Sequence, residues 1–204
     1  MILDSKTLPL AWNEEVTLSQ DDERWQQTWI FAGRMPRAVD VHFFLKAPGS
    51  RAELTIAYIG RWEDATDMKI MVFHEAPGTF ARVTMRAVLF DDARLGFDGM
   101  LAISPDGGGS DTYLLAKALL LSERARAEIH PELEIRTNDV KASHGSSIGR
   151  IDEGQLFYLQ SRGLGRRDAE KIILAGYFED VLAVLPPGVL DDEARIKNYE
   201  AREK

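Results

Sequence analysis

Four histidines are the first side chains to weigh, because a neutral imidazole ligates metal and carries protons near neutral pH. They stand at positions 42, 74, 130 and 144. No two of them share the HExxH spacing that puts paired rings on one helix face around zinc. His42 and His130 read as ordinary surface or hydrogen-bonded histidines. His74 closes the apolar run KIMVFH, a slightly more suggestive place. His144 has the most unusual setting, in KASHGSSIGR: the run Leu133, Ile135, Val140 leads up to it, and Gly145-Ser146-Ser147 after it reads as a bend. A bend of such small residues gives the ring little local cover, leaving it at the rim of a rigid scaffold as a metal ligand or proton carrier.

The other chemical constellations are weaker. PDGGGSDT at 105–112 invites a phosphate-loop reading, but no Gly-Lys-Ser/Thr follows it and no GxGxxG opens a helix, so it reads as a turn. Asp91, Asp92, Asp98 and Asp111 are candidates for paired-carboxylate sugar chemistry, the basis of a carbohydrate-active solenoid reading. Nothing in their spacing fixes a mutual distance. There is no GxSxG elbow for a serine nucleophile. The chain holds no cysteine, which excludes disulfides and protein thiolate ligands, so any metal must use His, Asp, Glu or an outside donor.

Short apolar runs separated by turn signals would have to position these groups. HFFLK (42–46), ELTIAY (53–58), KIMVFH (69–74), FARVTM (80–85), MLAIS (100–104) and LEIR (133–136) alternate with APGS, GRWEDATD, APGT, DDAR and PDGGGS. Several runs carry apolar residues on both alternation faces, and no long amphipathic helices lie between them, which disfavours a βαβ sheet and leaves a sandwich, barrel or solenoid. Beyond residue 150 the period becomes helical. Asp152 with Gln155 reads as a capping box and Gly163 as a left-handed stop. A second helix is expected over about 166–185, where Ala169, Ile172, Ile173, Gly176, Tyr177, Val181, Val184 and Leu185 form a stripe that Pro186-Pro187-Gly188 ends. The charged stretch DDEARIKNYEAREK reads as a solvated helix or frayed tail. The expected organisation is an N-terminal segment over 1–40, partly helical or irregular, a β core over 41–150 and a helical subdomain over 151–204.

The chain has 204 residues, enough for one domain with a buried core and no covalent staples, and a formal charge of −8. That charge disfavours nucleic acid and anionic membrane surfaces as partners. The N-terminus MILDSKTLPLAWNEEV carries acids and does not read as a secretory signal, and no later run is long enough to span a bilayer. The expectation is a cytoplasmic protein.

LEIRTNDVKASHGSSIGRID, QLFYLQSRGL and AEKIILAGYFEDVL together resemble the C-terminal signature of the SufB/SufD family of iron–sulfur cluster assembly proteins, closer to SufD. AELTIAYIG, VFHEAPGTFARVTMRAVLFDDARLGFDGMLAI and ALLLSERARAEIHPELEI follow the same family's order, so the resemblance covers about residues 51–185. It implies a right-handed parallel β-helix (solenoid) followed by a small C-terminal α-helical subdomain. It further implies pairing of SufB with SufD through their β-helices, docking of the ATPase SufC on the C-terminal helices, and hydrolysis there reshaping the interface where a nascent cluster is built.

Carried over by position, His144 matches a proposed cluster ligand at the subunit interface. Ala142 stands where many members, SufB especially, carry cysteine. Asn138 replaces a usual acid, Gly107–Gly109 replace an alanine/glutamine stretch, and the chain starts late relative to full-size members. Phe157, Tyr158, Arg162, Tyr177 and Phe178 are the candidate ATPase contacts. The resulting expectation is a non-catalytic scaffold subunit working with a SufC-type ATPase and a cysteine-bearing SufB-type partner, holding no cofactor stably alone and a transient iron–sulfur cluster in the complex. The alternative is a structural or regulatory β-helix homodimer without a cluster role.

Overall fold

Ten strands and two helices make up the computed structural model, which describes residues 9–32 and 36–179. The strands are β1 (Ala11–Leu18), β2 (Arg24–Ala32), β3 (Ala38–Leu45), β4 (Arg51–Gly60), β5 (Ala65–His74), β6 (Phe80–Leu89), β7 (Arg94–Ile103), β8 (Ser110–Leu120), β9 (Arg126–Ile135) and β10 (Val140–Arg150). The helices are α1 (Glu153–Ser161) and α2 (Arg166–Tyr177). Odd strands form one parallel sheet in the order β1-β3-β5-β7-β9, and even strands form a second in the order β10-β8-β6-β4-β2. Each consecutive odd–even pair is one coil, so the chain winds a parallel β-solenoid of five turns.

Coil length explains why the sequence shows no strict repeat. Ala11 pairs with Ala38, 27 residues on, Ala65 with Arg94, 29 on, and Arg94 with Arg126, 32 on. The variation sits in the corners, the longest of which carries the glycine run Gly107–Gly109. That run makes a turn, with Gly109 at φ +75. Corners KAPGS and EAPGT recur 29 residues apart, each with its glycine at positive φ, a conformation closed to most side chains.

Alternation divides the side chains. In β5, Thr66, Met68, Ile70, Val72 and His74 are buried while Asp67 and Lys69 are exposed. Stacked inward rows of Trp29, Phe43, Ile56, Ile70, Met85, Phe97 and Leu114 fill the interior, all at 1% exposure or less. Each such side chain contributes about 1.5–3 kcal/mol through burial. Ala57, Val88 and Leu119 point outward by alternation and are nevertheless buried, which accounts for the runs apolar on both faces.

The structure departs from the sequence-based expectation in three places. The segment over 1–40 is neither helical nor irregular where it is described: β1 and β2 form the first coil. Their inward positions include Trp12, Glu14, Trp25 and Gln27, so polar residues break the apolar alternation that would have marked strands. Gly145-Ser146-Ser147 is not a bend but the middle of β10, held straight by its pairing with β8. β8 itself, hidden behind the glycine corner, is the third. The part of the second expected helix beyond 179, including Val181, Val184 and Leu185, and the charged tail lie outside the described residues.

The two ends of the solenoid differ. At the first coil, indoles pack across the interior, Trp12 on Trp29 at 4.7 Å and Trp25 on Phe43 at 4.8 Å between ring centres. At the last coil, the inward positions of β9 and β10 have no further coil above them among the described residues; Ile135 and Ile148 are 43% and 45% exposed. The two outer faces differ as well. The even sheet presents Arg24, Arg51, Arg82, Arg86, Lys117 and Lys141 against Glu53 and Asp111, whereas the odd sheet is dominated by acids. No helix among the described residues is long and apolar enough to cross a membrane.

Candidate functional site

The open end of the last coil is where the sequence-selected histidine lies. His144 pairs in register with Leu114, and Ala142 with Thr112, both buried and inward, so His144 and Ala142 also face the interior axis. With no coil above among the described residues, His144 is exposed and Ala142 half-buried. The two are neighbours on one face, about 7 Å apart along the strand.

The backbone at this end is also directional. In a parallel ladder, successive residues turn their N–H and C=O alternately to the two neighbouring strands. The N–H of Asp111 donates to Thr79 and that of Leu121 to Leu89, so odd residues of β8 turn back to β6 and even ones turn to β10. On β10 the odd residues then complete the ladder, and Ala142, His144, Ser146 and Ile148 present their N–H and C=O to a free edge. In β9 the N–H groups of Arg126 and Arg136 reach Ala93 and Ile103, so the odd residues face the free edge there. One of them is Pro131, which has no N–H to offer. The edge of β9 is thus interrupted at its middle, and that of β10 is continuous and lined by small residues.

The helices leave the solenoid directly from β10. Asp152 caps α1, its Oδ1 accepting from the N–H groups of Gly154 at 2.7 Å and Gln155 at 3.2 Å. At the other end Gly163 has φ +91; its N–H donates to Gln160 and that of Leu164 to Leu159, the paired bonds of a Schellman stop. Leu156 and Ala169 are fully buried, while Phe157 and Tyr158 are 73% and 57% exposed. The Arg162 guanidinium lies over the Tyr158 ring at 5.2 Å. Tyr177 and Phe178 are half-buried, packed on each other at 5.4 Å, and Arg86 of β6 lies over Tyr177. The five helical candidates therefore form two groups, an exposed one on α1 and a packed one at the end of α2.

The remaining histidines do not join His144. His42 faces outward beside Asp40, with Nε2 at 2.9 Å from Oδ1. His130 is outward on β9. His74 is fully buried, with Nδ1 at 2.7 Å from Thr79 Oγ1, which is itself 2.7 Å from Ser110 Oγ. Burial pushes its pKa down to about 4. This buried polar corner, with Ser50 one rung below Thr79, was not legible as a unit in the sequence, though the hydroxyl recurring after each corner glycine marks it.

Among the described residues no three His, Asp or Glu side chains gather as a metal site. The four acids of the carbohydrate reading also diverge. Asp98 lies on the outer face of the odd sheet and Asp111 on that of the even sheet. Asp91 accepts from the Trp62 N–H at a corner, and Asp92 pairs with Arg124 at 2.8 Å.

Comparison with known proteins identifies a family. Residues 13–177 match the family described as "SUF system FeS cluster assembly, SufBD core domain". A SufBD family iron–sulfur cluster assembly protein of Mycobacterium leprae is 31% identical over 153 residues, covering 71% of this chain and 39% of its own length. SufD of Bacillus subtilis is 30% identical over 142 residues, 70% of this chain and 32% of that protein. SufD of Escherichia coli is 24% identical over 173 residues, 85% of this chain and 41% of that protein. The chain spans about two fifths or less of the length of these curated relatives.

Proposed function

Since the chain belongs to the SufBD core domain family of the SUF system for iron–sulfur cluster assembly, we propose that it is a SufD-like scaffold subunit of that pathway. It catalyses nothing itself in this reading. Its partners are a cysteine-bearing SufB-type subunit and a SufC-type ATPase, and its place is the cytoplasm.

The observation that carries the proposal is the open last coil: a continuous free edge on β10, with His144 directed to the same end. A partner strand added to that edge extends the even sheet beyond β10 and shelters the imidazole. The cluster is cargo held between subunits. Iron–sulfur clusters are held mainly by thiolates, so with no cysteine in this chain the sulfur donors come from the partner, and His144 offers one nitrogen. The exposed pair Phe157 and Tyr158, with Arg162 over Tyr158, provides the kind of aromatic and arginine surface that docks a protein partner. Tyr177, under Arg86 and packed on Phe178, links that docking element to the even sheet.

The test is anaerobic co-expression with a SufC-type and a SufB-type protein. The reading expects a ternary complex whose iron and sulfide content falls severalfold in His144→Ala, with Phe157→Ser/Tyr158→Ser losing the ATPase and keeping the SufB-type subunit. No complex with either partner, or an unchanged cluster content in His144→Ala, overturns it. The same free edge also suits a second copy of the chain, paired two-fold through β10. A metal-free homodimer indifferent to the ATPase would establish that structural alternative instead.

A further inference from the structure

The outer face of the odd sheet carries an apolar stripe that neither the cluster reading nor the helical docking element uses. Its register places His42, Met71 and Met100 on one row across β3, β5 and β7, and Phe44, Phe73 and Ala102 on the next. All are outward and only half-buried. Phe44 and Phe73 stack face to face, with ring centres 5.0 Å apart and planes 9° from parallel. His42 meets both rings edge-on at 6.3 and 6.0 Å.

Acids surround the stripe. Glu15 continues the methionine row on β1, Glu132 and Glu134 end the two rows on β9, and Asp40 and Asp98 flank it on β3 and β7. Lys69 lies between Asp40 and Asp98, Lys46 over the Phe44 ring at 5.1 Å, and Arg136 pairs with Glu134, so five carboxylates face three cations and the rim remains acidic on balance. A half-open row of methionine thioethers and phenylalanine rings inside an acidic rim is a surface that adapts its shape to an apolar ligand and repels anionic ones.

We propose that this face docks a basic amphipathic helix of a partner protein. The dimensions agree. Two inter-strand steps make the stripe about 10 Å long across β3 to β7, and anchors at i, i+3/i+4 and i+7 of a helix cover about the same length. Such a helix runs along the solenoid axis, with its apolar side on Met71, Phe73 and Met100 and its lysines or arginines over Glu15 at one end and Glu132 at the other. The basic face of the opposite sheet cannot accept the same ligand, which gives the interaction one orientation.

The experiment uses the full chain with 13C-methyl methionine and an 18-residue leucine–lysine peptide patterned at helical period; a scrambled peptide of equal composition is the control. The expected result is that the Met71 and Met100 methyl signals, assigned by Met→Leu variants, move on titration. Met68 and Met85, buried in the core at 2% and 0% exposure, stay in place. Met71→Lys and Met100→Lys each weaken binding at least about tenfold, Arg82→Glu on the other face changes it less than about twofold, and raised salt weakens it. Equal binding of the scrambled peptide, or shifts that avoid Met71 and Met100, overturns the proposal. So does movement of those two signals with protein concentration alone, which assigns the face to a second copy of the chain. The mapping on the unsubstituted protein stands even where a lysine variant fails to fold.

Discussion

His74 is stored in the interior neutral, and that has a measurable cost in acid. An imidazole in water titrates near its ordinary value of about 6.5; inside the solenoid, desolvation pushes it down to about 4. Between these values the unfolded chain holds a proton that the folded chain refuses, so stability falls as pH drops from about 6.5 to about 4 and levels off below. The loss is on the order of 3 kcal/mol. Urea midpoints at pH 7 and pH 4.5 measure it, and His74→Gln should flatten the difference; an equally steep profile in that variant would place the sensitivity elsewhere. The same residue shows what a sequence conceals. HEAPGT discloses a corner and KIMVFH a strand, but Ser110 stands 36 residues from His74, and only the pairing of coils brings it to Thr79. His144 reads in the sequence as exposed beside a bend; it is exposed, but it lies within β10. Its inward orientation follows from the partner Leu114 and from nothing local.

Elements whose formation is decided locally were the legible ones. The Asp152 cap and the Gly163 stop rest on hydrogen bonds within a few residues, and their signals stand in the sequence without help from the rest of the chain. Their removal is correspondingly local. Asp152→Ala and Gly163→Ala should each cost α1 about 1 kcal/mol. Hydrogen exchange of its amides should then quicken roughly fivefold, with the amides of β5 and β7 unchanged. Acceleration spread over the solenoid would contradict this. β10 is the opposite case. KASHGSSIGR has no apolar alternation and poor strand propensity, and it becomes a strand because the ladder of β8 offers it eleven paired positions. β1 and β2 are intermediate, since Trp12 and Trp29 alternate properly but Glu14 and Gln27 sit between them. Pro131, by contrast, is a residue whose meaning changes with its strand: inside a sheet it would be a fault, and on the free side of β9 it removes a donor from an edge.

For the molecule as a whole, net charge proved a poor summary. A formal −8 conceals a basic face and an acidic one, because the register, not the composition, sorts the charges. The tryptophans are sorted in the same way. Trp29 is fully buried, Trp12 and Trp25 pack against its end of the interior, and Trp62 is 60% exposed at a corner. Acrylamide should therefore quench one emitter readily, and Trp62→Phe should remove most of that accessible fraction and leave blue-shifted emission; an unchanged quenchable fraction would mean that the first coil is open to solvent. The first and last coils of the described residues also differ as surfaces. In polymer terms, a solenoid with two bare ends is a bifunctional monomer whose stacking propagates into a fibre. Among the described residues, indoles fill the first coil while Ile135 and Ile148 stand exposed at the last, so the two terminal functions of such a monomer are unlike, an A–B unit rather than an A–A one.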